Sequence, residues 1–437
     1  MSAIRLTSEG GQPLPEQMIM ACVVSSTNMR LAYRQVMTNK GSAGIDGMTV
    51  TELKPYLMHH WATIKARLLT GSYKPQPVRQ VAIPKSHGGF RLLGIPTVVD
   101  RLIQQAMYQV LNPYFDPHFS IHSYGFRKGK HAHQAVQQAQ RYQSEGRRWV
   151  VDMDLENFFD TVNHDVLITL IRRRMNESLM LKLIRSYLGS GIMIGGVHTN
   201  QREGTPQGSP LSPLLSNIIL DKLDKELEKR GHSFVRYADD CNIYVHSQKA
   251  GERVLNSLSH WLKRKLKLKV NEDKSVVEAP HRRKFLGYSF TWNHPPRIRV
   301  PYPTVQRLKV KLKRLFREGR GRHIGRFITE TLNPVLRGWI NYFRISETKG
   351  FAEELDQWVR RKLRNMLWRQ WKRPWTRFER LKKAGLPEPQ AAACAFNGRG
   401  AWWNSGASHM NLAFRKKYFE RIGLVSMLDV LLRYQTS

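Results

Sequence analysis

Along this chain the apolar positions change their spacing in a way that predicts alternating helices and strands. Over residues 14–60 the pattern reads helix, loop, helix: Met29, Leu31, Ala32, Tyr33 and Val36 recur at helical spacing up to Asn39, and the glycine-rich run 40–47 interrupts them. Residues 78–83 predict a strand, 84–96 a β-hairpin around a glycine turn, and 100–111 an amphipathic helix. An apolar strand begins at Trp149, ends in acidic residues by Asp154 and leads into helix. Leu214, Leu215, Ile218, Ile219 and Leu223 predict a helix over 214–227, entered through the proline-punctuated turn 204–213. Phe234-Val235 and Ile243-Tyr244-Val245 are β-branched and aromatic runs flanking Asp239-Asp240, which predicts strand, tight turn, strand. A basic amphipathic helix is expected over 261–269. Pro295-Pro296 and Pro301-Tyr302-Pro303 mark a boundary, beyond which the chain is helical, and Lys372-Arg373-Pro374 marks a second break.

Asp239 and Asp240 at a hairpin tip would repel each other unless a divalent cation lay between them. An ordinary polar turn is the plainer reading, and this stretch alone leaves both open. Asp154, at the end of its own strand, could face the pair across a sheet and complete a three-carboxylate site for two divalent ions. Lys85 and Arg91 stand on the two arms of the earlier hairpin and could converge on one anion, such as a triphosphate; two solvated surface charges is the competing reading. Phe158 and Phe159 follow Asp154 closely enough for one ring to lie beneath a bound sugar, although such rings more often fill a core.

Charge widens the picture. Lys plus Arg total 71 against 34 Asp plus Glu in 437 residues, a formal net charge of +37 spread through much of the chain. Nucleic acid is the partner that this excess fits best. Basic candidates for such contacts are Arg127 and Lys128 in the loop 124–130, then Lys309, Lys311, Lys313, Arg337, Arg360, Arg361 and Arg364 in the helical region, where tryptophans are interleaved. The three cysteines lie far apart with no metal-ligand spacing, which suits a reducing cytoplasm. No run approaches the ~20 apolar residues of a membrane span, so no membrane partner is expected.

Seven blocks in order carry a resemblance: Gly44-Ile45-Asp46-Gly47, Arg91 to Pro96, Asp154 to Asp160, Pro206-Gln207-Gly208, Tyr237-Ala238-Asp239-Asp240, Phe285-Leu286-Gly287, and Arg337-Gly338-Trp339-Ile340-Asn341-Tyr342-Phe343. Together with the terminal 424–429 they resemble the group II intron-encoded reverse transcriptases, or maturases, of bacteria, in their compact form without an endonuclease domain. The resemblance implies an α+β right-hand polymerase: an N-terminal extension over 1–60, fingers and palm over 61–298, a helical thumb over 299–370 and a small DNA-binding domain over 371–437. It implies Asp154, Asp239 and Asp240 as ligands of two Mg²⁺, with Mn²⁺ as a substitute, and Lys85 and Arg91 on the incoming dNTP. Phe159 would be the steric gate under the sugar, Gln207 would position nucleotide and template, and Lys274 would protonate the leaving pyrophosphate. The implied partners are structured intron RNA, an RNA template with a DNA or RNA primer, and target DNA, in a bacterial cytoplasm. Two other roles stay open: an RNA-binding protein whose main work is splicing, and a domesticated polymerase of repair or phage defence.

Overall fold

The two acidic strand ends predicted from sequence meet in one antiparallel sheet. Its strand order is Ser233–Tyr237, Asp240–Val245, Trp149–Met153, Val276–Glu278. Trp149 pairs with Val245 and Met153 with Cys241, so the next residue, Asp154, emerges beside Asp240. The computed structural model describes residues 16–84, 89–194, 197–199, 203–205 and 208–436, which divide into two compact units, Met1–Ala279 and Pro280–Ser437.

In the first unit, helix Gln248–Lys265 packs on the sheet from one direction and Ala132–Ser144 packs on its Ser233–Tyr237 strand. Helix Ser212–Lys229 buries Leu214, Leu215, Ile218, Ile219, Leu220 and Leu223, as the apolar spacing requires. The expected helix over 261–269 is instead the tail of Gln248–Lys265. Its start escaped the apolar pattern because the first turns are polar and the signal is a cap, Ser247 accepting from the Ala250 amide. A second sheet, ordered Phe90–Ile95, Val78–Pro84, Ile192–Ile194, Val197–Thr199, contains the predicted hairpin.

The expected N-terminal extension shares the core of this unit. Ile19, Val23, Ala32, Val36 and Leu53 belong to the same apolar cluster as Leu102, Leu220 and Ile243, and helix Leu53–Leu69 runs through residue 60. Helix Val98–Phe115 is anchored by its own first turn: Thr97 caps Asp100, and the buried Asp100 carboxylate accepts from the hydroxyls of Thr97, Tyr73 and Tyr187 and the amide of Gln76. Burial pushes the Asp100 carboxyl up, and these hydrogen bonds pull it back.

The second unit is built around helix Gly350–Gln370, against which Tyr302–Glu318, Ala401–Gly406 and Met427–Thr436 pack. The break at residues 372–374 is real as a helix end, with Pro374 opening the next helix, Pro374–Lys383. It does not open a separate unit. Asp356, buried on the long helix, accepts from the Ser426 hydroxyl at 2.7 Å and from the amides of Met427 and Leu428 at 3.0 and 3.2 Å. That carboxylate caps the last helix and ties the chain's final segment to the helical region before it. Among the described residues, no helix is long and apolar enough to cross a membrane.

Candidate active site

The catalytic candidates sit on a turn that its own residues do not favour. Tyr237 pairs with Asp240, which leaves Ala238 and Asp239 as a two-residue loop with Ala238 at φ +57°. Alanine in the left-handed region is strained, and such hairpins ordinarily place Asn or Gly there. The strain is held from below by Arg236. Its side chain is wholly buried and donates to the Ala238 carbonyl at 2.9 Å, to Asn217 Oδ1 at 3.0 Å, to Ser123 Oγ at 2.8 Å and to both oxygens of Asp224 at 2.7 and 2.6 Å. Burial alone would lower the Arg236 pKa, but the Asp224 charge and hydrogen bonds outweigh it and raise it above its ordinary value. Gly125 closes the turn from the other side: a Cβ there would lie 2.2 Å from the Ala238 nitrogen.

Asp154 is fixed through its backbone. Its amide donates to Ser275 Oγ at 3.0 Å and its carbonyl accepts from the Asn271 amide at 2.8 Å. The same turn, in which the Lys274 amide donates to Asn271 Oδ1, brings Lys274 Nζ to 3.4 Å from Asp154 Oδ2. Lys274, Asp154 and Asp240 are thus brought together as expected.

A fourth carboxylate joins them. Asp152 lies two residues before Asp154, hence on the same face of the strand, and it is paired in register with Asn242. The carboxyl of Asp240 is open to solvent at the hairpin tip yet crowded on its flanks. The surrounding protein, then the negative charges of Asp239, Asp152 and Asp154, push its pKa up to about 6, while Arg91 pulls the other way. Arg91, exposed on strand Phe90–Ile95, thus lies within electrostatic reach of the carboxylates. Lys85 and Gln207 lie outside the described residues.

Phe159 lies in the short helix Phe158–Thr161, entered through Asn157 at φ +44°. Phe158 is buried and Phe159 half-buried, with the two rings edge to face at 5.2 Å. The Phe159 carbonyl accepts from the Thr205 amide at 2.6 Å. Gly204 makes this approach feasible, because a Cβ there would lie 2.9 Å from the Phe159 oxygen and 2.8 Å from that of Asp160.

Among the described residues, no three Asp, Glu, His or Cys side chains converge closely enough to enclose an ion. The donors nonetheless fit Mg²⁺ chemically. They are hard carboxylate oxygens whose mutual repulsion a cation would relieve, and Mg²⁺ commonly takes one or two carboxylates, sharing the rest of its shell with water and substrate phosphates.

The basic candidates divide. Arg127 is an internal brace and not a free contact: its side chain is 8% exposed, paired with Asp116 at 2.8 Å and donating to the carbonyls of Asp116, Ser120 and Ser123. Lys128 beside it is exposed. Lys309 is 12% exposed and bound to Glu354, whereas Lys311, Lys313 and Arg337 are exposed. Arg364 is buried and donates to the Phe414 carbonyl at 3.1 Å, its pKa lowered to about 10 by burial and by Arg360 and Arg361. Arg361 stacks over Trp402 at 4.1 Å, and Arg360 is half-buried.

A family profile described as "Reverse transcriptase (RNA-dependent DNA polymerase)" matches residues 83–290, and one described as "Group II intron, maturase-specific domain" matches 305–385. Protein YkfC of Escherichia coli is 33% identical, with the alignment covering 57% of this chain and 76% of YkfC. The chain belongs to the group II intron reverse transcriptase/maturase family. The group II intron-encoded protein LtrA of Lactococcus lactis is 29% identical over 59% of this chain and 54% of LtrA. The putative COX1/OXI3 intron 2 protein of Saccharomyces cerevisiae is 27% identical over 72% of this chain and 47% of that protein. The chain spans about half the length of these last two relatives. Its fold is the α+β reverse-transcriptase fold.

The role of Arg236 can be separated from its contribution to stability. Arg236→Met should cost about 3–5 kcal/mol, since Asp224 is left buried without a partner, and Arg236→Met with Asp224→Leu should recover most of it. Denaturant unfolding measures both. Primer extension by the double variant should stay depressed at least tenfold, because the Ala238 carbonyl still lacks its donor. A double variant that extends primers like wild type would show that the pair only fills space.

Proposed function

We propose that this chain is an RNA-directed DNA polymerase that copies RNA into cDNA and binds its intron RNA to assist splicing and retrohoming. The observation that carries the reading is the facing of Asp240, on a strained hairpin, with Asp154 and Asp152 on the neighbouring strand, in the field of Arg91. A set of like charges held together at the mouth of a sheet suits metal-assisted phosphoryl transfer better than it suits folding.

In this reading Asp154, Asp239 and Asp240 would hold two Mg²⁺ ions, whose chemistry would be to activate a hydroxyl and neutralise phosphate charge. Arg91, with Lys85, draws the dNTP triphosphate toward the carboxylates. Phe159 lies beneath the sugar, and Gln207 aligns the nucleotide with the template. The primer 3′-hydroxyl loses its proton to solvent and its oxygen bonds to the α-phosphorus as the bond to the bridging oxygen breaks. The exposed ammonium of Lys274, held beside Asp154, donates the proton that the departing pyrophosphate takes up. Structured intron RNA, the primer-template and target DNA would meet the exposed cations of both units.

Asp239→Asn or Asp240→Asn should reduce cDNA synthesis on an RNA template far more than tenfold, the equivalent of ~1.4 kcal/mol in barrier, with RNA binding retained. Asp240→Asn should also raise the melting temperature of metal-free protein at neutral pH, because it removes a carboxylate whose ionisation the site opposes. Activity within tenfold of wild type would sink the assignment.

Phe159→Val should relax the preference for dNTP over rNTP in competition assays. Lower thermal stability with unchanged sugar preference would show that the ring merely packs against Phe158.

Copying and splicing should separate. Asp154→Asn is expected to make no cDNA yet still promote splicing of a cognate intron, read by gel analysis of the precursor RNA. Loss of both activities together, in a variant that melts like wild type, would count against a distinct RNA-binding role.

A further inference from the structure

One hydroxyl holds the backbone of Asp154 on both sides. Ser275 Oγ accepts from the Asp154 amide at 3.0 Å and donates to the Asp154 carbonyl at 3.3 Å. The reason lies in the register of the sheet. Asp152 pairs with Val276, and continuing that antiparallel register by two residues puts Lys274 opposite Asp154. Strand Val276–Glu278 begins too late to supply Asp154 with a backbone partner there, so the Ser275 side chain takes that place.

The turn is also closed on itself. The Asn271 amide donates to the Asp154 carbonyl at 2.8 Å, the Ser275 amide donates to the Asn271 carbonyl at 2.9 Å, and Asn271 Oδ1 accepts from the Lys274 amide at 3.3 Å. Asp154 and Lys274 are therefore two side chains on one hydrogen-bonded frame, with their heads 3.4 Å apart. The ion pair cannot itself supply this order. The Lys274 side chain is 67% exposed and that of Asp154 34%, and a pair so open to water contributes little. Position comes from the backbone, which Ser275 grips at Asp154 and continues directly from Lys274.

We propose that Ser275 is a positioning residue that couples the metal-binding carboxylate to the group that protonates the leaving pyrophosphate. Its hydroxyl fixes the Asp154 peptide, and with it the direction in which the carboxylate meets a divalent cation. Its place in the chain fixes where the Lys274 ammonium stands. As the bond from the α-phosphorus to the bridging oxygen breaks, one N–H proton of Lys274 passes to that oxygen, and the amine left behind regains a proton from solvent. The coupling deepens the functional reading of Asp154 and Lys274 and rests on it.

The test uses the full chain as Ser275→Ala and Ser275→Thr, with Ser25→Ala as a control. Ser25 also bonds backbone on two sides, accepting from the Asn28 amide at 3.4 Å and donating to the Cys22 carbonyl at 2.8 Å, but between the N-terminal helices. Mn²⁺ binding without substrate is followed by loss of the free-ion electron paramagnetic resonance signal, and the part that Asp240→Asn abolishes is assigned to the site. Groups that orient a metal ligand typically carry about 10–100-fold in affinity, so Ser275→Ala should weaken that part about tenfold and Ser275→Thr should restore most of it. The second readout is single-turnover extension with dNTPs whose β,γ-bridging group is varied, which changes the basicity of the leaving group. The rate should fall more steeply with that basicity in Ser275→Ala than in wild type, as it should in Lys274→Met, while Ser275→Thr follows wild type. A hydroxyl that only stabilises the turn would lower the melting temperature, as Ser25→Ala should, and leave both readouts at wild type. That result overturns the proposal, as does weaker Mn²⁺ binding with unchanged leaving-group sensitivity, or wild-type sensitivity in Lys274→Met. If Ser275→Ala melts below the assay temperature, Ser275→Cys, which keeps the volume and weakens the hydrogen bonds, is held to the same expectations. Wild type that binds no Mn²⁺ at the carboxylates and makes no cDNA defeats the functional reading; wild type that does both, beside a Ser275→Ala indistinguishable from it, defeats the coupling alone.

Discussion

A wholly buried guanidinium under the Ala238-Asp239 turn is the constraint on which the catalytic unit depends. Each of the Arg236 donors must find an acceptor inside the protein, and the acceptors come from distant parts of the chain: Ser123, Asn217, Asp224 and the turn itself. Its backbone is also shared, its carbonyl accepting from Tyr124 and its amide donating to His122. One buried charge thereby sets the loop 122–125, helix Ser212–Lys229 and the hairpin in fixed relation. Such pairs give little net stability compared with an apolar replacement. What this one supplies is geometry, because the carbonyl it holds belongs to the strained residue next to Asp239.

That geometry is needed because the site works against itself. Asp152, Asp154, Asp239 and Asp240 share one field, and burial followed by these neighbouring charges raises the Asp240 pKa to about 6. A flexible hairpin would let the charges swing apart. Register on both sides of strand Asp240–Val245, the Gly125 contact and the Asn271-Ser275 turn under Asp154 prevent it. Lys274 offsets part of the repulsion from 3.4 Å while remaining exposed enough to meet a substrate.

Much of this was legible in sequence wherever period and chemistry agreed. The hairpin at 234–245, the strand ending at Asp154 and the helix over 214–227 stood out because continuous apolar runs, or apolar residues at helical spacing, ended in residues of sharply different polarity. Asp152 was missed although strand alternation places it on the face of Asp154; the eye stops at the strand's last acid. Arg236 left a signal as well, a lone charge inside Phe234-Val235-Arg236-Tyr237 on a strand otherwise apolar, yet sequence does not say which acid is folded beneath it. Arg127 was misread for the converse reason. In Arg127-Lys128-Gly129-Lys130 all three cations look alike, and only the fold shows that Asp116 and three carbonyls enclose the first.

The same distinction governs how the net charge of +37 should be understood. Arginine carries five donors on a planar head and is easily consumed by carbonyl clusters, as Arg127 and Arg364 are, so a count of basic residues overstates the charge offered to a partner. The useful quantity is the subset whose heads reach solvent with no acid beside them. In the helical unit Lys309 is removed from that subset by Glu354 and Arg364 by burial against Phe414. What remains includes the exposed Lys311, Lys313, Arg320, Arg337 and Arg369. Even solubilising charge would repel itself apart, because lysine and arginine stems are long and the surrounding surface is open. Around Lys362 packing opposes that spreading: burial first, and then Lys313, Arg361, Arg369 and Arg320, hold its pKa below the ordinary value. Like charges held together by packing, as the carboxylates are at the hairpin tip, are relieved by opposite charge that arrives from outside.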